Sequence, residues 1–427
     1  MTLLRRTRRA LPFGMAVLLG VSLAGCADDG TGGGSGTVTT SVTYGADKQA
    51  YIDALADMEP VTLTIQSPAP KGAATGRRFE AYAAAVEEWS GGKIKFNVVF
   101  SNGVAPPAEV DDALADGRLD VGSIIPSLEP ADFPASNALW ELSFIGRQTP
   151  VDGQLQWHGA MLETAVGLDE IYQEYERKGI KLLLPAFAAG AFYVNCADSR
   201  FDLASLKGRD IAIQSKMQGT QAQALGMNPV SANYAEMFES LQRGIVDCTM
   251  SSLTISLLGG YIPAAPHFAY HPEIGIQSPG GSIAISLDRW NALPLAAQQL
   301  LYDRLDVLLD ASLKATWENV AAGLKAVKDA KGSFVELTGD ALEALRKAND
   351  DALAAARSSA PVRDPNGFVD TLLKAVDTWG ELVRNVGIRD VTVGYDGFEE
   401  WHAAGVPDLQ SYYNALWERA LDKRRPS

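Results

Sequence analysis

Three cysteines and four histidines are all that this 427-residue chain holds of the commonest metal ligands and near-neutral acid–base groups. The histidines, His158, His267, His271 and His402, are scattered along the chain, with His267 and His271 in one Pro-rich loop, so they form no recognisable site. Absent too are a Gly-x-Ser-x-Gly nucleophile elbow, a His-Glu-x-x-His zinc helix and a phosphate-cradling Walker loop. An enzyme is therefore not expected, nor is a resident metal or cofactor. A basic excess is also missing: 37 Lys and Arg stand against 52 Asp and Glu, a formal charge of −15, which speaks against nucleic acid as a partner. The apolar run from Leu11 to Leu23 is too short to span a membrane as a mature anchor.

That run has another use. Arg5, Arg6, Arg8 and Arg9 precede it, and it ends in Leu23-Ala24-Gly25-Cys26, which resembles the bacterial lipobox. On this reading residues 1–25 are a lipoprotein signal peptide and Cys26 becomes an acylated N-terminus, with palmitate as a candidate acyl group. The plainer alternative is a secretory signal with a chance cysteine. One chain anchors only marginally, so more than one acyl group is expected. Residues 26–60 then hold the lipidated cysteine and a tether, whose Gly- and Ser-rich start packs no core. Removing residues 1–25 deletes four arginines and no acid, which takes the formal charge from −15 to −19.

Length favours two lobes. The chain is organised around the stretch from Leu203 to Ser252: strand, turn, helix, glycine stop, second strand. Asn233 suits the N-cap, Met237 and Leu241 form one apolar face, Gly244 stops the helix, and Ile245-Val246 leads to Asp247 as a strand. The segment from Ala113 to Gly122 repeats the device. Further helices are expected over Gly76–Trp89, with Phe79, Tyr82, Ala83 and Val86 on one face, over Gln154–Lys178, and almost without break over Leu295–Lys328. Asp340–Ala356, Phe368–Val386 and a last helix with Tyr412, Tyr413 and Trp417 complete the set. Strands are expected at Leu63–Ile65, Ile94–Phe100, Ile180–Leu184 and Ile283–Ser286, and a Pro-rich irregular segment around Trp140 and Phe144. Cys196 and Cys248, in an oxidising compartment, either pair or remain buried thiols.

Several motifs coincide. Leu206-Lys207-Gly208, Ala224-Leu225-Gly226 with Pro229-Val230, Tyr234 two before Glu236, and Leu241-Gln242-Arg243-Gly244-Ile245-Val246-Asp247 together resemble the DctP-like solute-binding proteins of tripartite ATP-independent periplasmic (TRAP) transporters. Glu87 to Ile94 and Trp290-Asn291-Ala292-Leu293-Pro294 extend the resemblance over roughly residues 61–350. It implies an α/β, two-lobed periplasmic-binding-protein-like fold with hinge strands and a long helix across both lobes. Lobe I would comprise residues 61–189 and 278–317; lobe II would comprise 190–277 and 318–427, with a C-terminal helical extension. It also implies extracytoplasmic capture of a small solute by lobe closure and delivery to TRAP membrane subunits driven by an ion gradient.

Departures from the family pattern bear on the solute. Ala212 stands where the family usually has an arginine, Ala191-Phe192-Tyr193 follows Gly190 where a second arginine often sits, Ser251 replaces an amide contact, and Ser286 an asparagine. Candidate solute contacts are Ala212, Gln214, Ser215, Tyr234, Thr249 and Ser251, with Phe192 and Tyr193 as a hinge wall and Ser67, Asn102 and Ser123 from the first lobe. With the clamp arginines gone, a neutral polyol, sugar-like or more apolar solute is favoured over a dicarboxylate. The alternative is a relocated cation, Lys216, Arg77 or Lys71. A second reading of the whole chain is a ligand sensor or interaction lipoprotein with the same fold and no transport role.

Overall fold

In the computed structural model, residues 40–187, 190–232 and 236–427 are described. Eleven strands build two sheets: β1 (Val61–Gln66), β2 (Ile94–Val99), β3 (Val121–Ile124), β4 (Ile180–Phe187), β5 (Tyr193–Cys196), β6 (Asp210–Ile213), β7 (Asn228–Ser231), β8 (Cys248–Ser251), β9 (His267–Tyr270), β10 (Gly281–Ser286) and β11 (Ser333–Glu336). The first sheet has the order β2-β1-β3-β10-β4 and the second β11-β9-β5-β8-β6-β7.

Strand direction decides where a site can lie. Only β10 runs against its neighbours in the first sheet, so β1, β2, β3 and β4 end at one edge and β10 starts there. In the second sheet only β5 is reversed, so β6, β7, β8, β9 and β11 end at one edge and β5 starts there. The chain crosses from the end of β4 to the start of β5 and returns from the end of β9 to the start of β10. These two crossings therefore join carboxyl edge to carboxyl edge, which is where open α/β sheets bind ligands, while a third passage, from β10 to β11, runs through the helices of residues 287–329.

Helix Ala74–Trp89 buries Phe79, Tyr82, Ala83 and Val86, the stripe expected from the sequence. Helix Leu305–Asp329 lies against it and also against helix Leu253–Leu258 and β11, and so touches both sheets' layers. Four sequence expectations need correction. The helix expected over Gln154–Lys178 is two, Asp152–Val166 and Asp169–Arg177, divided at Gly167-Leu168, with Asp169 and Glu170 in the new first turn. The helix expected over Leu295–Lys328 divides at Arg304. Trp140 lies in a helix, Pro134–Glu141, because Pro134 takes the N-terminal position where its missing N–H costs nothing. Ile245 and Val246 form no strand: Gly244 turns with φ +66°, Ile245 is 55 % exposed, and pairing starts at Cys248. The expected cap at Asn233 lies outside the described residues, and the helix beyond it begins at Met237.

Cys196 and Cys248 face each other across β5 and β8 and are joined by a disulfide. Beyond residue 360, helix Pro365–Asn385 lies on helix Asp152–Val166. Trp379 lies so close over Gly159 that a Cβ there would be 2.1 Å from its ring. Tyr395 reaches the hinge, donating to the Gln148 carbonyl (2.9 Å) and hydrogen-bonding Tyr193 (2.7 Å). Near the terminus Arg425 closes on Asp303 and the Val42 carbonyl, at 2.9 and 2.7 Å.

Candidate functional site

At the carboxyl edge of the first sheet, two aromatic rings lie directly on backbone. A Cβ on Gly280 would fall 2.1 Å from the Trp140 ring, which only glycine admits, and one on Gly281 would fall 3.1 Å from the ring of Phe187, a tight contact. Against Phe187 lies Arg78, its guanidinium carbon 4.6 Å from that ring's centroid and 4.8 Å from that of Phe79.

Arg78 is unlike every other charge in the interior. Among the described residues it is the only buried lysine or arginine, at 7 % exposure. The buried carboxylates all have partners: Asp111 with Lys178, Asp120 with Arg289, Asp152 with Arg147, Asp303 with Arg425, and Glu174 with two backbone N–H groups. Arg78 has no such partner among the described residues, and its Nε meets no acceptor. Burial alone pulls its pKa down to about 10, which leaves it protonated at neutral pH. An uncompensated buried charge costs several kcal/mol, and two cation–π contacts at roughly 0.5–2 kcal/mol each offset only part of that. Two further donors share the imbalance: Trp140 Nε1 and, in the residue after β6, Gln214 Nε2 are also shielded without acceptors. What these groups lack is an acceptor.

The second sheet has used its polar groups differently. Ser215 caps helix Lys216–Ala224 through the Gln218 N–H and donates to Gln277 Oε1 at 2.6 Å. Gln277 in turn donates to the Trp140 carbonyl (2.9 Å), accepts from Gln218 (2.9 Å) and donates its own N–H to Gln221 (3.0 Å), bridging the two edges. Ala212 is sealed in an apolar cluster with Met237, Leu241, Val246 and Tyr261. Thr249 is buried with its hydroxyl on the Met237 sulfur (3.1 Å), and Ser251 bonds the Tyr261 hydroxyl. Phe192 packs in the second sheet's core, and Tyr193 joins Phe268, Tyr270, Phe334 and Tyr395 in a ring cluster. Tyr234 and Cys26 lie outside the described residues.

On the first sheet's side Ser67 is buried, its hydroxyl accepting from the Ala69 N–H (3.2 Å), and the Asn102 N–H donates to the Ser67 carbonyl (3.0 Å). Ser123 is half-buried in β3. Of the three cations offered by the sequence, Arg77 is ion-paired with Glu318 at the surface and Lys71 is exposed. Lys216 lines an open groove of about 700 Å³, together with Glu141. Arg78 was missed, although a signal existed: it precedes Tyr82 by four residues and so lies on the helix's apolar stripe, where an arginine is out of place.

The acids with spacing suited to a metal ion, Asp111, Glu129 and Asp132, already surround the Lys178 ammonium, 3.7 Å from Glu129 and 2.6 Å from Asp132. Burial holds His158 down to about 4, so near neutrality it is the uncharged imidazole, with Nδ1–H donating to the Gln154 carbonyl.

Residues 66–359 match the model of the DctP family, the bacterial extracellular solute-binding proteins, family 7. The chain belongs to this family. No curated protein matches it. Solved structures share the fold. A marine metagenome TRAP solute-binding protein described as specific for aromatic acids, with 3-hydroxybenzoate bound, is 17 % identical with TM-score 0.64, over 75 % of this chain and 99 % of that one. A Bradyrhizobium protein with galacturonate is 19 % identical with TM-score 0.60, over 74 % and 100 %. A sugar acid binding protein of Advenella mimigardefordensis with galactonate is 15 % identical with TM-score 0.62, over 75 % and 100 %. The family assignment makes this chain a two-lobed solute-binding protein. Among the described residues no helix is long and apolar enough to cross a membrane.

Proposed function

We propose that this DctP-family protein is an extracytoplasmic, lipid-anchored receptor that captures a small solute between its lobes and delivers it to TRAP membrane subunits. The observation that carries this reading is the pair of carboxyl edges joined by two crossovers, with shielded donors at those edges that lack acceptors. Hinge closure across such a crossover traps a solute, and an acyl group on Cys26 keeps the loaded receptor near its permease. Lobe I is residues 61–189 with 278–317, lobe II is 190–277 with 318–360, and the C-terminal extension from residue 365 lies back on lobe I.

The loss of arginine at Ala212 favours a neutral solute only where no other cation reaches the edges. Arg78 removes that condition. The named structural neighbours were solved with acids, which agrees with a cation in the site.

The test is uptake in vesicles that contain the cognate membrane subunits. Transport that requires the receptor and an ion gradient, without ATP, is the expected result; solute capture without any transport would replace this reading with that of a sensor. Mass spectrometry of the Cys26 peptide tests the anchor: a diacylated cysteine is expected, and an unmodified one would refute it.

A further inference from the structure

We propose that Arg78, on the first lobe's helix Ala74–Trp89, is the residue that selects the solute's charge, by binding a single carboxylate of an organic acid. This rests on the receptor reading above and moves the anchor to a different element from the strand position now held by Ala212.

Three observations converge on it. Arg78 stands one turn into a helix whose N-terminus points to the carboxyl edge, so the peptide dipoles add to its attraction for an anion. Phe79 and Phe187 lie against its guanidinium, while Nε has no acceptor. A carboxylate approaching in the guanidinium plane can accept two parallel N–H bonds, the geometry that arginine offers and lysine does not.

The number of charges follows from what surrounds it. Each nearby cation in reach of the sequence argument is already engaged or exposed: Arg77 pairs with Glu318, and Lys216 stands beside Glu141 in the open groove. One bare cation matches one carboxylate. The rest of the solute meets the Phe187 ring, with Trp140 Nε1 and Gln214 Nε2 to donate to hydroxyl or carbonyl oxygens. A monocarboxylate with an oxygen-bearing body, sugar acid or hydroxyaromatic acid, fits that set, whereas a dicarboxylate leaves its second charge without a partner.

The experiment is a thermal-shift screen followed by calorimetric titration of the purified protein. The probes are 3-hydroxybenzoate, galacturonate, galactonate and pyroglutamate, each beside its neutral amide or alcohol analogue, with succinate and a set of polyols and sugars. Wild type, Arg78→Lys and Arg78→Met are compared. At least one monocarboxylate is expected to raise the melting temperature while its neutral analogue does not. Arg78→Met should weaken that acid by about 100-fold or more, and Arg78→Lys by about 10-fold, since charge is kept and the fork is lost.

Neutral solutes that bind wild type and Arg78→Met alike would overturn the role of Arg78 and leave the receptor standing. Equal affinity of acid and amide for wild type would do the same, and that comparison does not depend on the variants folding. If no member of the panel shifts wild type, the receptor reading fails together with this one.

Discussion

The carboxyl edges of the two sheets treat polar side chains in opposite ways. In the second sheet Ser215, Thr249 and Ser251 are each engaged by a neighbour in the same lobe or at the bridge, and Ala212 lies under Met237 and Tyr261. In the first, Arg78 is buried with its guanidinium against rings and without a carboxylate. A protein interior holds few unsatisfied groups, because each costs about 1–3 kcal/mol and a charge costs more. Gln214 Nε2 also lacks an acceptor at the second edge, but among the described residues only the first keeps a buried cation without a carboxylate, and that larger cost is the one a solute would offset.

The harshest way to break this contrast is to rebuild the arginine where the family usually has it. Ala212→Arg places a long cation in a sealed apolar cluster, and overpacking together with an unpaired charge should cost about 4 kcal/mol or more. Denaturant unfolding reads this directly; a stable variant with restored acid binding would show that the second lobe still holds an open socket there. Next in size is Gln277→Ala. It removes two hydrogen bonds, the one accepted from Ser215 and the one donated to the Trp140 carbonyl, and leaves a buried partner on each edge unsatisfied, for a loss of about 2 kcal/mol and a clear drop in melting temperature.

Tyr261→Phe is a finer probe. It takes one buried hydroxyl from Ser251 and should cost about 1–2 kcal/mol while leaving solute affinity unchanged, because that face is closed. A large change in affinity would place Ser251 in the site after all. The smallest effect is expected for Arg77→Ala, the sequence neighbour of the proposed anchor. Its pair with Glu318 is half exposed, so the loss should stay within about 1 kcal/mol and binding should not move.

Fold and site were legible to different depths, for physical reasons. The stripe of Phe79, Tyr82, Ala83 and Val86, the stop at Gly244 and the two-lobed plan are local or family-wide patterns, and they are present in the structure. The division of the long helices at Gly167 and Arg304 was hidden, because apolar residues stand on both sides of each break, Val166 and Leu168 at one, Tyr302 and Leu305 at the other. The site was harder. Residue types at strand ends suggested Ser215, Thr249 and Ser251, but whether a hydroxyl faces a solute or a neighbour depends on residues further along the chain, Tyr261 at 10 positions from Ser251 and Gln277 at 62 from Ser215. Of the first lobe's cations the sequence offered Arg77 and Lys71, because neither burial nor pairing can be read from residue type, and Arg78 beside them was not among the candidates. An arginine on an apolar helical face was visible in the sequence, but its lack of a carboxylate partner was not.

The most direct measurement is a crystal structure of the protein with the solute that stabilises it most. The account requires a carboxylate within hydrogen-bonding distance, about 2.7–2.9 Å, of the Arg78 guanidinium, with Ala212 still covered by Met237 and Tyr261. A solute held elsewhere, with Arg78 still bare, would contradict it.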